Sequence, residues 1–595
     1  MLYFLGAWLL LTIVCGIMGL GWLNCWRVEG FDRLDDRAMV SLWLGLVTMA
    51  IALLTASLFV PLSPGVGIAI ALIGVGLALF SPRTRADLTQ FKSYINKTWG
   101  LIVLAIATLA AALMNMQVRW IDTGLYHYGA IRWLSEYGAV PGVALIHSRL
   151  GWASAWFALA APFNPLMLET QGVATINGFI LFLAIAHWWL ALRRVVTTRS
   201  RFSDLLVFWA YPLILGFILI GRTVIKELPV IWAFINLIIS TSPDFAVMLL
   251  ITLTAWSILV LVQAQKQPGR GNLRGRWIPL VLALGAFAIK PTAFPLLPIA
   301  GLFYLCDRPL QWQRWLAAGT IATVFLLPPM AFATITSGCP LSPSRLMCFD
   351  LPWTVPLLPE VAKSLGMEEG GWQAWYSSPE TGPLSWWDGM KQWAEAQTLL
   401  SLLLFLGVLS LIAFGTFLVR QKQFKAFAQN GQLWVLAIAI LGWGFLLWRS
   451  PLLRFGWGYG VLIPALAIAS ICHWRWGYLP LPPVFLSPVR KEQKWLSWFF
   501  GSWLAAIGLA TLLQPELIMP EPLPQVNVAP ATINDVRYFY PTEKYPNIDS
   551  REMLCWGAPL PCTEYDEPQD NNIRLRKPEL GIAGGFVRAD YEAED

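Results

Sequence analysis

The strongest constraint on this chain is a recurring pattern: an apolar run long enough to cross a membrane, a short loop, then another run. A hydrocarbon layer of about 30 Å takes roughly 20 residues of helix, and such runs lie near 2–23, 38–60, 66–80, 99–116, 171–192, 204–221, 244–264, 315–333, 397–419, 433–448, 458–473 and 495–513. So many uncovered apolar faces cannot be buried in one water-soluble core. Composition agrees, with 57% apolar and 13% charged residues against roughly 25% charged in ordinary domains. Disorder, a coiled coil, a polar repeat array and nucleic-acid binding are excluded. The 33 Trp and 41 Pro suit membrane interfaces and broken helices. The sequence predicts an all-α polytopic integral membrane protein.

Leu2 to Leu23 lacks the basic start and small-x-small site of a cleaved signal, and neither Cys15 nor Cys25 fits lipoprotein processing, so a retained first span is expected. The run 277–306 is interrupted by Lys290-Pro291, Pro295 and Pro298, and both of its flanks are basic. Flanks of one sign belong on one side, so two short passes turning near Lys290 are expected, giving fourteen spans (12–14). Loops 24–37, 81–98, 193–203, 265–276, 307–314, 420–432 and 474–494 hold 24 Lys and Arg in 97 residues, against 10 in 153 for the alternate loops. The positive-inside rule then puts both termini and every long loop outside a bacterial cytoplasmic membrane.

The expected organisation is a four-helix membrane segment (1–116), a large extracytoplasmic loop with an interfacial helix (117–170), a central membrane segment (171–333), a second large loop (334–396), a C-terminal membrane segment (397–513) and an acidic tail (514–595). The tail opens on a Pro-rich stretch that reads as an extended linker, and its remainder is short for an independent core, so it should dock on the loops. Cys339 with Cys348, and Cys555 with Cys562, are close pairs on the oxidising side and suggest two disulfides; buried unpaired thiols are the alternative.

Chemistry points to residues 122–142, D-T-G-L-Y-H-Y-G-A-I-R-W-L-S-E-Y-G-A-V-P-G. As a helix, this segment gathers Tyr126, Ala130, Trp133, Leu134 and Tyr137 on one arc and puts Tyr128, Arg132, Ser135 and Glu136 opposite. It should lie in the headgroup plane, with Arg132 and Glu136 paired at i,i+4. Asp122 stands just before it, as a helix cap or as a catalytic carboxylate facing lipid headgroups.

Asp122, Tyr126, Ala130, Leu134, Gly138 and Pro141 resemble the first outer loop of GT-C-type membrane glycosyltransferases, D-E-x-x-Y-x-x-x-A-x-x-x-L-x-x-G-x-x-P. The resemblance implies a GT-C-like fold, a sugar donor carried on polyprenyl phosphate, and Asp122 as the base that takes the proton of the acceptor hydroxyl. Thr123 replaces the usual second acid. The segments S-P-D (Ser242, Pro243, Asp244), S-G-C-P-L-S-P-S (337–344) and R-F-G (454–456) also resemble a group of large multi-spanning bacterial membrane proteins, a likeness that supplies no activity.

A phosphate leaving group needs cations at the same face. The candidates are Arg222, Lys226, Arg449, Arg454 and Lys290, whose alternative is snorkelling to headgroups or pairing with Glu227 and Asp244. Secondary candidates are Tyr126, His127, Arg132, Arg149 and Asp244. Asp244 also reads as a simple cap after Pro243, and His127 and His147 as bystanders in a wet loop. Trp353, Trp372, Trp375, Trp386 and Trp387 suit interface anchoring or sugar stacking. No metal spacing is present and no cofactor is expected, although a divalent cation is compatible with the mechanism. The expected partners are a polyprenyl-phosphate-linked sugar and membrane lipids, with no nucleic acid. Other readings are a polysaccharide polymerase or ligase that relies on arginines, a lipid or glycolipid transporter, and a membrane scaffold.

Overall fold

The computed structural model describes residues 1–355 except 95–96, 198, 225–234, 266–272, 307–308 and 345; then 385–396, 430–449, 452–476, 518–543, 553–564 and 566–591, with isolated residues of 407–427 and 501–505. Six described helices are long and apolar enough to cross a membrane. They are α1 (Leu2–Cys25), α2 (Leu34–Ser57), α8 (Thr175–Val196), α10 (Pro243–Gln265), α13 (Trp312–Ser337) and α16 (Leu453–Trp476, apolar over Arg454–His473). This is a helical membrane protein. Of α1's 18-residue apolar window, 44% is covered, so much of that helix meets lipid, whereas α10 is 94% covered. Packed by α8, α9 (Phe202–Val224), α11 (Trp277–Ile289), α15 (Gln432–Arg449) and α16, α10 is the hub of the bundle.

Small residues let α1 and α2 approach closely: a Cβ at Gly19 would collide with the Ser41 carbonyl, and one at Gly45 with the Cys15 carbonyl. This is the way membrane helices gain packing when lipid removes the hydrophobic drive. Gly45→Leu should therefore lower the thermal stability of the purified protein by about 2–3 kcal/mol, an overpacking cost, while Gly6→Leu, at an open position, should change little; detergent-solution melting curves check both.

Segment 81–98 is not a plain loop. After α3 (Pro64–Leu79) the chain turns by 98° into α4 (Pro82–Tyr94), then enters α5 (Lys97–Met114). Run 277–306 forms a hairpin: α11 ends at Lys290, a turn covers Pro291–Ala293, and α12 (Leu296–Leu305) returns, so that Arg276 donates to the Phe303 carbonyl at 3.2 Å. At 1.5 Å per residue the legs of 13 and 10 residues reach about 20 and 15 Å. Each is shorter than a full crossing, and Lys290 sits at the tip.

Loops expected to share a side do meet. At one end Arg194 binds Asp35, Asp36 and Asp204 at 2.5–2.7 Å, Arg33 binds Asp204, Arg201 binds Asp32 and Arg37 binds Asp87, which knits 24–37, 81–98 and 193–203 together. At the other end the Met1 amine donates to the Ile518 carbonyl at 2.6 Å and to Asn115 at 3.2 Å, so the chain start and the tail lie together.

Both expected disulfides, Cys339–Cys348 and Cys555–Cys562, are formed. The Pro-rich stretch runs into a strand: β1 (Val528–Ile533) pairs antiparallel with β2 (Val536–Pro541) across Asn534-Asp535, both at positive φ as a tight hairpin turn requires. A smaller pair, β3 (Ile573–Leu575) and β4 (Phe586–Arg588), follows. The tail docks on loop 117–170 as expected. Trp556 N–H donates to the Gly124 carbonyl at 2.9 Å, Asn571 to the Leu145 carbonyl at 2.9 Å, and Phe586 N–H to the Pro141 carbonyl at 2.9 Å.

Candidate functional site

Four separate stretches converge at the end of the bundle that carries the tail. Asp122 comes from the loop after α5, Asp244 from the first turn of α10, Lys290 from the hairpin tip and Arg454 from the start of α16. Arg454 Nη1 donates to Asp122 Oδ2 at 2.7 Å, and its Nε lies 3.8 Å from Asp244 Oδ2. Lys290 Nζ meets Asp244 Oδ1 at 2.6 Å. The cations share an aromatic seat: the Phe455 ring lies 4.1 Å from Lys290 Nζ and 5.0 Å from the Arg454 guanidinium, which also covers Trp120 at 5.3 Å. Arg149 stacks on Tyr126 and Trp152, and its field reaches Asp122.

Local sequence explains this convergence. Pro291 follows Lys290 and stops α11, leaving Lys290 extended at the tip, and Ser154 fixes the spot by donating to the Ile289 carbonyl at 2.8 Å. The Ser242 carbonyl accepts from Asn177 at 3.1 Å, which anchors S-P-D, and Ser242 Oγ donates to Asp244 at 3.2 Å.

Two readings of single residues are corrected. Asp122 makes no cap bond to the helix that follows; its carboxylate turns to Arg454 instead. Asp244, 2% exposed, is more than a cap, because a carboxylate that deeply buried requires the lysine beside it.

The rest of the 122–142 pattern is mostly architecture. Residues Thr123–His127 form a π-helical turn, and α6 (Tyr128–Glu136) follows. Gly138, at φ +76°, ends α6, and Ala139 N–H donates to the Ser57 carbonyl at 2.8 Å. Arg132 pairs with Glu136 at 2.8 Å as expected, and also reaches the Ala558 carbonyl. The segment does not lie open in a headgroup plane. Tyr128, expected on the polar side, is 3% exposed, because the tail and α7 (Ala155–Ala160) cover both faces. Nor are the histidines wet: His127 and His147 are each 1% exposed.

Burial alone would push the Asp122 carboxyl up, but Arg454, with His127, Arg149 and Lys290 behind it, holds it down to about 2. Burial first, and then the surrounding cations against the pull of Asp122, lower His127 to about 3. At neutral pH the site therefore holds an ionised Asp122 and a neutral His127. Around it, Trp120 Nε1, Thr123 Oγ1, His127 Nδ1 and Thr292 Oγ1 are buried without a hydrogen-bond partner among the described residues. Such atoms are costly unless something polar meets them.

Other candidates lie partly or wholly outside the described residues. Arg222 lies in the last turn of α9 and Arg449 ends α15, with both side chains outside the described residues, as are Lys226 and Glu227. Trp372 and Trp375 also lie outside them; Trp353 lies 5.3 Å from the Arg576 guanidinium, and Trp386 and Trp387 are exposed. His147 serves the tail instead, with its Nε2 3.0 Å from Glu564. Sequence reasoning missed Trp120 and Phe455, although Phe455 directly follows Arg454 and Trp120 stands two residues before Asp122, a usable signal. Among the described residues no group of three His, Cys, Asp or Glu could hold a metal ion.

The docking contact should depend on pH. Burial opposes charge on His147, but Glu564 outweighs it and raises the imidazole above 6.5; burial likewise raises Glu567, which accepts from Ser148. Both shifts are upward, so the stabilisation is complete below the unfolded values and is lost as pH rises through the folded ones. Cleavage within 514–595 by a dilute protease should accelerate between pH 6 and pH 9, and His147→Gln should flatten that dependence.

Fold and site together define a helical membrane protein with an aromatic-backed cluster of two acids and two bases at one end of its bundle. The chain belongs to the family described as Domain of unknown function (DUF8201), whose model matches residues 1–461. That stretch contains Asp122, Asp244, Lys290 and Arg454 and stops before the tail. No curated protein and no solved structure matches the chain.

Proposed function

We propose that the protein is a GT-C-like glycosyltransferase of a bacterial cytoplasmic membrane, with 12–14 spans, the 277–306 hairpin counted as two short passes only in the higher number, and both termini outside. It moves a sugar from a polyprenyl-phosphate donor to an extracytoplasmic glycan, lipid or protein acceptor. The observation that carries this reading is the Asp122–Arg454 pair at 2.7 Å within a cluster ringed by unpartnered polar atoms. A carboxylate, two cations and several unused hydrogen-bonding groups suit a sugar phosphate, whose hydroxyls and anion need such partners.

The resting pair is poorly basic, since Arg454 occupies the carboxylate. In the proposed reaction the donor phosphate takes over the Arg454 guanidinium, with Lys290 beside it, and frees Asp122. Asp122 then accepts the proton of the acceptor hydroxyl as that oxygen bonds to the anomeric carbon and the carrier phosphate departs with the bonding electrons. No cofactor is needed for this step, and a divalent cation is compatible with it.

Mass spectrometry of lipids retained by purified Asp122→Asn and Arg454→Gln proteins tests the reading. A polyprenyl-phosphate sugar held by the first and absent from the second is expected; bulk phospholipid alone in both would overturn it. The concentration of cations at the site favours the polymerase or ligase as second reading, and activity lost in Arg454→Gln but kept in Asp122→Asn would select it.

A further inference from the structure

Trp556 reaches from the tail onto the π-helical turn that presents Asp122. We propose that Trp556 is a positioning residue for Asp122: the tail holds the turn at 123–127 in its wide form, and the site is complete only with the tail docked. This rests on the transfer reading above and adds to it a task for the tail.

The hydrogen bonds of this turn are displaced by one residue. The Tyr128 N–H closes on the Thr123 carbonyl, five residues back, whereas an α-helix would give it the Gly124 carbonyl, four back. Here the Gly124 carbonyl accepts from the Trp556 N–H at 2.9 Å. The tail thus supplies a donor where the helix has withdrawn its own. Single π turns of this kind are rare and are frequent at functional sites. Position 124 requires glycine, because a Cβ there would come within 2.7 Å of the two carbons shared by the indole rings of Trp556. Trp556 is 2% exposed, so the contact is dry. A return to α-helical bonding would turn the chain before α6 by roughly 100° about its axis. Asp122 immediately precedes the turn, so its 2.7 Å contact with Arg454 depends on the wide form.

Trp556 is itself held in place. It lies inside the ring closed by the Cys555–Cys562 disulfide, where the Ala558 N–H donates to the Cys555 carbonyl at 2.8 Å. Arg132 of α6 donates to the Ala558 carbonyl, and the Phe539 N–H of β2 donates to the Pro561 carbonyl at 2.9 Å. The ring is therefore clamped between the helix that continues the π turn and the hairpin of the tail. The residues matched by the family model end at 461, so the part that holds the turn comes from beyond them.

Two measurements on the purified full chain test this. The first, hydrogen exchange read by mass spectrometry, needs no substrate. W556A should speed exchange of the amides of 123–128 by about tenfold or more, because local opening becomes easier when buried contacts are lost. W556F keeps a ring over Gly124 and should restore most of the protection. Gly124→Ala, which forces the ring away, should act as W556A does, whereas Gly129→Ala, whose Cβ would meet only Leu150 at 4.0 Å, should not raise exchange. Equal exchange in W556A and the unaltered protein overturns the proposal, whether or not the protein transfers a sugar. The second is the pH profile of transfer. With Asp122 turned from Arg454, burial pushes its carboxyl up against the smaller pulls of His127, Arg149 and Lys290. The kcat/KM of W556A should then gain an acid limb above about pH 4, absent from the unaltered protein and from W556F. A W556A profile reduced in height but identical in shape would reflect lost folded protein alone and overturns the positioning role. If the unaltered protein transfers no sugar, the transfer reading fails, and exchange still decides whether Trp556 holds the turn.

Discussion

Asp122→Asn is expected to lower the turnover of sugar transfer by about 10²- to 10⁴-fold, the range in which a positioned general base contributes. Asparagine keeps the shape and one acceptor oxygen but takes up no proton. It also ends the 2.7 Å ion pair, so Arg454 becomes more available to an incoming phosphate. Donor affinity should therefore hold or improve while turnover falls. A merely structural role for Asp122 would move both together, or would show up first in the melting temperature. Turnover within a few-fold of the unaltered protein would end the carboxylate mechanism. The pH profile gives a second reading of the same residue. Because Asp122 is held down to about 2 and His127 to about 3, neither titrates between pH 4 and 8. The acid limb of kcat/KM, set by the free protein, should then be absent above pH 4. In the donor complex Arg454 no longer shields the carboxylate, so kcat should fall at a higher pH than kcat/KM does.

Much of this arrangement is legible in the sequence. Apolar runs located the six long membrane helices because such a helix writes its burial into some twenty consecutive residues. Basic-residue bias grouped three loops that do meet, 24–37, 81–98 and 193–203 around Arg194 and Arg37, and put the start of the chain on the same side as the tail it touches. Lys290 and Arg454 stood out because charge near hydrocarbon is costly, and Asp122 because it stands before an aromatic-rich amphipathic segment. Partners were harder to read. Asp244 after a proline has the signature of a cap, and nothing local reveals that a lysine 46 positions on will reach it, since that pairing depends on how the 277–306 hairpin folds back. The tail hairpin was missed although Asn534-Asp535 is a recognisable turn pair, because a Pro-rich run read as linker outweighed it. The bend into α4 was missed because its mixed polar and apolar residues have no strong period.

The second large effect should come from the lysine itself. Lys290→Met leaves Asp244, 2% exposed, with the Ser242 hydroxyl at 3.2 Å and Arg454 at 3.8 Å as its described polar side-chain neighbours. Breaking a buried pair from one side strands a charge that water cannot reach, at a cost of about 3–5 kcal/mol. A melting temperature lowered by several degrees, with reduced yield of folded protein on size exclusion, is expected. The double variant K290M/D244N removes both charges and should recover most of that loss, because the penalty arises from the unpaired carboxylate and not from the missing contact. Activity should follow a different course. In K290M the stranded Asp244 competes for Arg454 and draws it from Asp122, so transfer falls even in molecules that remain folded. In the double variant that competition ends and Arg454 stays with Asp122, yet one of the two cations available to the donor phosphate is gone. Stability should therefore return while donor affinity does not. Recovery of both would make Lys290 a counter-ion and nothing more; recovery of stability alone separates its two tasks, neutralising Asp244 and meeting the substrate.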